Sequence, residues 1–96
     1  MDGAAPMQRW ISTFLDAQAA ERAAAQNTRL AYGRDLLDFA GWLAGRNTDF
    51  QAATQQDVET YLVGLEAQGL SKATRARRLS AIRQLYRFAH EEGWRA

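Results

Sequence analysis

The chain has 96 residues, 47% of them apolar, which suffices for one small hydrophobic core, so we expect a single domain over residues 1–96. Zero cysteines and one histidine exclude a disulfide framework and a thiolate metal site, and we expect no cofactor. The chain has no apolar run of roughly 18 residues and no signal-peptide pattern, which predicts a cytoplasmic protein without a membrane segment.

Apolar residues recur at spacings of three and four along the chain, which predicts four helices and no strand. The first helix is expected over residues 7–24. The second begins where Asn27 or Thr28 can accept a hydrogen bond from the first turn, and it ends at Gly45. Gly33 lies in the middle of this helix, where it costs about 1 kcal/mol relative to alanine. Either a neighbouring backbone approaches closely there or the glycine is simply tolerated.

Capping signals mark the third and fourth helices. Thr54 with Asp57 three residues later resembles a capping box that opens the third helix, which ends at Gly69. Ser71 is placed to cap the fourth helix, which runs to a stop at Gly93 and is about as long as one turn of a DNA duplex.

Positive charge is concentrated in the fourth helix. Residues 1–70 contain five Lys or Arg against nine Asp or Glu, whereas residues 71–96 contain seven against two. Arg75, Arg77 and Arg78 form a tight cluster with no acid within one helical turn. Such a concentration favours a polyanionic partner.

A helical wheel of the fourth helix separates a core-facing side from an opposite seam. The predicted core side consists of Arg75, Leu79, Ile82, Tyr86 and Ala89. The seam consists of Thr74, Arg77, Ala81 and Gln84. These residue types suit a DNA groove, because arginine grips guanine, glutamine pairs with adenine and alanine permits a close approach. Ser71 and Lys72 lie at the positive end of the helix dipole, where a phosphate can bind.

A plainer interpretation of the charge remains open. Arginine-rich helices are often solvated faces, and Arg87 with Glu91 forms an ordinary i,i+4 pair. The aromatic residues are better explained by packing in the protein core or at an interface than by stacking on bases.

Two segments carry a family resemblance, "NTRLAYGRDLLDFAGWL" and, some forty residues later, "GLSKATRARRLSAIRQLYRFAHEEG". Together they resemble the N-terminal core-binding domain of the tyrosine recombinases (phage integrase family), most closely its Xer branch, over residues 8–93. The first series of matching residues is Thr28, Tyr32, Asp35, Leu36 and Phe39. The second is Thr74, Arg78, Leu79, Ser80 and Arg83.

The resemblance implies an all-α fold, a compact four-helix orthogonal bundle of the SAM-like type. It also implies half of a clamp around double-stranded DNA, with the second and fourth helices on the recombination site. The residues that we accordingly expect to contact DNA are Thr28, Arg29, Arg34, Ser71, Lys72, Thr74, Arg77, Arg78 and Gln84.

One position departs from the family pattern. Xer-like sequences commonly carry a basic residue after the tyrosine, where this chain has Gly33, which puts a phosphate contact there in doubt. Arg29 and Arg34 remain available on the same helix. The wheel places Arg34 far from the core direction, so it is expected to be exposed, with a surface pair to Asp38 as the alternative.

The resemblance also bears on catalysis and partners. In this family a separate C-terminal domain supplies the tyrosine nucleophile and the residues that stabilise the phosphate, so this chain alone is expected to bind DNA and not to cut it. Tyr32, Tyr61 and Tyr86 lie on apolar faces and are not candidates for the nucleophile. The implied partners are duplex DNA and other recombinase subunits assembled on it, with a monomeric chain in the absence of DNA.

Two other classes of protein share some of these features. A helix-turn-helix transcriptional regulator is also small and basic on one helix, but it usually has two short helices joined by a tight turn. A helical protein interaction module predicts no salt-dependent affinity for DNA.

Overall fold

The computed structural model describes residues 4–22 and 26–95, which form four helices. The helices are α1 (Ala4–Arg22), α2 (Gln26–Gly45), α3 (Gln55–Ala67) and α4 (Lys72–Glu91). Within the described residues there is no strand. The prediction of an all-α domain with four helices is confirmed.

The N-terminal ends of α1 and α2 differ from the predicted ones. Helix α1 begins at Ala4, three residues before the predicted start, and its predicted end at Ala24 lies outside the described residues. Helix α2 begins at Gln26, so Asn27 and Thr28 lie inside its first turn. The prediction that one of them caps the helix is wrong, because glutamine is a good helix former and extends α2 upstream of both.

The C-terminal ends of three helices share one backbone motif. A residue in the left-handed conformation follows α2, α3 and α4, namely Asn47 (φ 59°), Gly69 (φ 87°) and Gly93 (φ 74°). After α4, the amide of Trp94 donates to the carbonyl of Ala89 at 2.9 Å, which closes the turn and satisfies a free helix carbonyl. The predicted stops at Gly69 and Gly93 are confirmed.

The capping box of α3 is present as predicted. The amide of Asp57 donates to Thr54 Oγ1 at 3.2 Å, and the amide of Thr54 donates to Asp57 Oδ2 at 2.9 Å. Ser71 likewise caps α4, because its Oγ accepts a bond from the amide of Thr74 at 3.1 Å. Each cap satisfies a first-turn amide that has no partner within its helix.

The capping box predicts a pH dependence of stability. The backbone hydrogen bond from Thr54 holds the pKa of Asp57 below its ordinary value. Burial opposes this bond with a smaller effect, and the Thr54 hydroxyl and Arg46 lower the pKa further. A carboxylate whose pKa is lowered by folding stabilises the domain above its unfolded pKa and loses that effect as the pH falls through the folded pKa. We therefore expect Asp57→Asn to lower the melting temperature at pH 7, with a difference from the parent chain that shrinks towards pH 3. Thermal melts by circular dichroism at both pH values measure this, and a difference that stays constant contradicts the prediction.

Helix α4 packs against each of the other three helices, as α2 also does, whereas α1 and α3 do not contact each other in the described ranges. Its buried residues are Ala81, Ile82, Leu85 and Ala89. The largest fully buried side chains among the described residues are Met7, Phe14, Leu36, Phe39, Leu43, Phe50 and Leu85. A helix enclosed on several sides has only a narrow strip left for solvent or a partner.

Aromatic rings close the end of the core near the C-terminus of α4. The ring of Trp10 lies 5.6 Å from Phe50 and 5.0 Å from Trp94, and Tyr86 donates from its hydroxyl to the carbonyl of Phe50 at 2.9 Å. The rings of Trp10, Phe50 and Tyr86 also belong to the core or pack against it, as the sequence interpretation favoured.

Gly33 is buried at the contact between α1 and α2. A Cβ atom built at this position would lie 3.1 Å from Leu15 Cδ1, which is a tight contact. Close approach therefore accounts for the glycine, but the approaching group is a side chain of α1 and not a backbone. Any side chain larger than that of glycine would press against Leu15 of α1.

Candidate nucleic-acid interface

Asp35 is a buried carboxylate that joins α2 to α4. Its side chain is 3% exposed. Arg77 donates to it twice, from Nε to Oδ2 and from Nη2 to Oδ1, both at 2.9 Å. Arg78 Nε lies 3.5 Å from Oδ1. A buried charge is tolerated only when it is paired and hydrogen-bonded, so these arginines stabilise the contact between the two helices.

Arg78 also belongs to a network that reaches α3. Its Nη1 donates to Asp38 Oδ2 at 2.7 Å and to the Tyr61 hydroxyl at 3.0 Å, while Tyr61 donates to Asp38 at 2.6 Å. Burial raises the pKa of the Tyr61 hydroxyl, and donation to Asp38 raises it further. The Arg78 side chain is only 19% exposed. Its position makes it a link between three helices.

Gln84 forms a second set of contacts within the domain. Its Nε2 donates to the Tyr32 hydroxyl and to Ser80 Oγ, both at 3.1 Å, and its Oε1 accepts from Gln18 Nε2 at 3.2 Å. The side-chain amide of Gln84 thereby links α1, α2 and α4. An amide with these partners must exchange them before it can pair with a base.

The predicted groove seam on α4 is wrong at Ala81. Ala81 is fully buried, and Arg77 and Gln84 on the same side bind partners in the other helices. Arg75, predicted to turn its stem towards the core, is half-buried and folds back over the α3–α4 turn, donating to the carbonyl of Leu70 at 3.3 Å. The wheel assumed one buried side, whereas α4 packs against neighbours on several sides.

A different strip of α4 faces solvent. We call Lys72, Ala76, Arg83 and Arg87 the basic ridge; all four are exposed. Their spacings of four, seven and four residues place them within about 60° on the helix, over roughly 22 Å of its length. The first acidic residue of α4 is Glu91. The ridge therefore presents three positive charges on one side of the helix.

Two ridge arginines were not predicted as DNA contacts. Within the part of the chain that the structure describes, neither Arg83 nor Arg87 forms an ion pair, and the sequence pairing of Arg87 with Glu91 is not made. Arg83 was among the residues that carry the family resemblance, so the sequence alone could have indicated it as a DNA contact. Arg87 was not among them.

The predicted DNA contacts on α2 differ in their exposure to solvent. Thr28 and Arg34 are exposed, and Arg29 is half-buried. The expected exposure of Arg34 is confirmed, and Asp38 pairs with Arg78 instead of Arg34. Asp35, the next residue in α2, binds Arg77, so α2 contacts the N-terminal half of α4 one residue away from Arg34.

The N-terminus of α4 contains the remaining predicted contacts. Lys72 is exposed, whereas the hydroxyls of Ser71 and Thr74 are bonded to each other at 3.0 Å. The Ser71 hydroxyl is thus used for capping, and the Lys72 side chain is the group there best placed to meet a phosphate.

The described residues contain no group of three His, Cys, Asp or Glu side chains able to hold a metal ion. None of the described helices is both long and apolar enough to cross a membrane.

Comparison with known sequences identifies the family. Residues 11–93 match the family described as phage integrase, N-terminal SAM-like domain. The chain belongs to this family. As an integrase SAM-like domain it is similar to tyrosine recombinases XerD, with 50% identity over 88 residues to the protein of Caulobacter vibrioides, 43% over 86 residues to that of Rhizobium meliloti and 42% over 85 residues to that of Agrobacterium fabrum.

These matches cover 92%, 90% and 88% of the chain but only 29%, 28% and 26% of the respective relatives. The SAM-like domain thus spans less than a third of the length of the proteins that it matches. No solved structure gives a significant match.

Proposed function

We propose that this SAM-like domain binds double-stranded DNA as one half of a clamp, through the basic ridge of α4 and the adjoining edge of α2. The observation that carries the proposal is the ridge itself, whose Lys72, Arg83 and Arg87 are exposed without an acid between them. Exposed cations along one helix favour a polyanion, because each can neutralise a phosphate and release a counterion.

The dimensions of α4 suit a duplex. Its 20 residues span about 30 Å, which is close to one turn of DNA. Ala73 and Ala76 are exposed small residues near its N-terminus, so the backbone of this helix can approach the phosphates closely. Arg34 on α2 and Arg77 on α4 are also exposed and add two positive charges outside the ridge.

Within this proposal, the candidate residues take different roles. The contacts to DNA come from Arg34, Lys72, Arg77, Arg83 and Arg87. Arg78 and Gln84 act through the fold, because their side chains hold the helices together. Thr28, Arg29, Ser71 and Thr74 stay predicted contacts.

For the whole protein we propose a site-specific tyrosine recombinase of the Xer type, in which residues outside this domain cleave and rejoin the DNA. The relatives named above are tyrosine recombinases. Tyr61 and Tyr86 are poorly suited to attack a phosphate, since burial raises the pKa of Tyr86 to about 12 and also raises that of Tyr61. We further propose a cytoplasmic location, a monomeric domain in the absence of DNA, and contacts with other recombinase subunits only when they assemble on DNA.

A salt titration tests the proposed binding. We expect the domain to bind a random-sequence duplex with a dissociation constant of about 10⁻⁴ to 10⁻⁶ M at physiological salt, as is typical of non-specific contacts. With five cations engaged, log K should fall with log salt concentration with a slope of about −4.5. Fluorescence anisotropy of a labelled duplex at 50 and 200 mM salt measures both quantities. An absence of binding at the lower salt concentration, or a salt-independent affinity, rules the proposal out and favours a protein interaction module.

A further inference from the structure

We propose that Asp35 is a positioning residue, which holds the Arg77 guanidinium so that its free edge forms a two-pronged donor for a DNA phosphodiester. This inference rests on the proposed DNA-binding function and assigns a role to a residue that does not touch DNA. The bidentate contact between Asp35 and Arg77 is the observation behind it.

The bonding pattern leaves a defined part of the guanidinium free. A guanidinium carries five N–H donors in a rigid planar fork. Asp35 takes the Nε hydrogen and one Nη2 hydrogen of Arg77. The second Nη2 hydrogen and both Nη1 hydrogens have no acceptor within the described residues. The Nη1–Nη2 edge that remains matches the spacing of two phosphate oxygens.

The difference in burial between Asp35 and Arg77 shows that the free edge of the guanidinium faces solvent. The carboxylate of Asp35 is 3% exposed, whereas the side chain of Arg77 is 46% exposed. The negative charge therefore lies behind the guanidinium, inside the α2–α4 contact. A phosphate that approaches from solvent meets the cation first.

Arg77 is also ordered before it binds. An arginine on an open surface loses side-chain entropy when it grips a phosphate, whereas one fixed by a bidentate contact has already lost it. Asp35 is itself confined by its burial, and the Arg78 guanidinium forms an ion pair with it at 3.5 Å without a hydrogen bond. The exposed ridge residues Arg83 and Arg87 have no comparable anchor in the described part of the chain.

The opposing interpretation makes a prediction of opposite sign. If Asp35 only neutralises Arg77 as part of the fold, removing its negative charge leaves a stronger positive field and improves DNA binding. If Asp35 positions Arg77, the same change disorders the donor edge and weakens binding.

The test uses the full 96-residue chain with Asp35→Asn, Arg77→Ala and the double variant, on one random-sequence duplex at 50 mM salt. We expect Asp35→Asn to weaken binding about threefold to tenfold, and to have no further effect when Arg77 is already alanine. Circular dichroism and thermal melts establish that each variant is folded at the temperature of the binding assay. Tighter or unchanged binding by Asp35→Asn, or an equal loss in the Arg77→Ala background, overturns the proposal.

Arg77→Lys decides the matter if Asp35→Asn does not fold. Lysine keeps the positive charge but cannot form the fork, so the proposal expects a loss as large as that of Arg77→Ala, and retained affinity overturns it. The outcomes also separate this inference from the function on which it rests. If the parent chain shows no salt-dependent affinity for DNA, both fail; if it binds but Asp35→Asn does not weaken it, only the role of Asp35 fails.

Discussion

Replacing Phe39 by alanine is expected to lower the free energy of unfolding by about 3–5 kcal/mol, as is typical when a large buried aromatic side chain is truncated. Phe39 is 0% exposed, and its ring lies 4.9 Å from Tyr61, 6.0 Å from Phe50 and 6.2 Å from Trp42. The substitution removes the transfer energy of the ring and leaves a cavity where α2, α3 and the loop before α3 meet. Since a domain of this size is stable by roughly 5–15 kcal/mol, the loss is a large share of the total.

Urea denaturation followed by circular dichroism measures this effect. Leu37→Ala is the matched control, because Leu37 lies on the same helix but is 49% exposed, and we expect its substitution to change stability by less than about 1 kcal/mol. Similar losses for the two variants would show that the core is not centred on Phe39.

Removing the two arginines of the basic ridge is expected to give the largest loss of DNA affinity. Arg83→Ala with Arg87→Ala should weaken binding about hundredfold at low salt, since a hydrogen bond to a charged group contributes about 1.5–3 kcal/mol and every 1.4 kcal/mol is tenfold. The slope of log K against log salt concentration should become shallower by about two units, one for each phosphate that the variant no longer neutralises. The stability of the domain should stay within about 0.5 kcal/mol, because both side chains are exposed.

A charge-matched double variant isolates position from net charge. Arg9 is exposed on α1, and Arg46 follows α2, where it pairs with Asp57 and lies over the ring of Trp42. Replacing both with alanine removes the same charge away from the ridge, and we expect it to leave the salt slope within about half a unit of the parent value. Equal effects of the two double variants on the slope would mean that the domain attracts DNA by its overall charge and that the ridge is not the interface.

The DNA-facing surface was only partly predictable from the sequence. The charge asymmetry indicated α4, and the exposure of Arg34 followed from its position on the wheel. The choice of side on α4 was wrong at Ala81, which the wheel placed opposite the core and which is fully buried. Arg77 is exposed as the wheel predicted, but the wheel does not show the acid on α2 that binds it. Arg87, set aside as half of a local pair, proved to be exposed and without an ion pair within the described residues.

The sequence by itself determined the features that depend on neighbours along the chain. Helical periodicity predicted four helices, and the signals at Thr54, Ser71, Gly69 and Gly93 predicted ends that the structure confirms, since a cap bonds to amides or carbonyls only a few residues away.

Only the tertiary structure decided what each side of α4 does. Asp35 and Arg77 are 42 residues apart, and Tyr32 and Gln84 are 52 apart, so no local pattern shows that they meet. The same packing buries Ala81, which is small enough for α4 to lie close against its neighbours, and turns Arg83 and Arg87 to solvent. A buried carboxylate is stable only when the fold places a cation beside it. Arg77 and Arg78 are the cations beside Asp35, whereas the ridge residues keep their charges exposed to solvent.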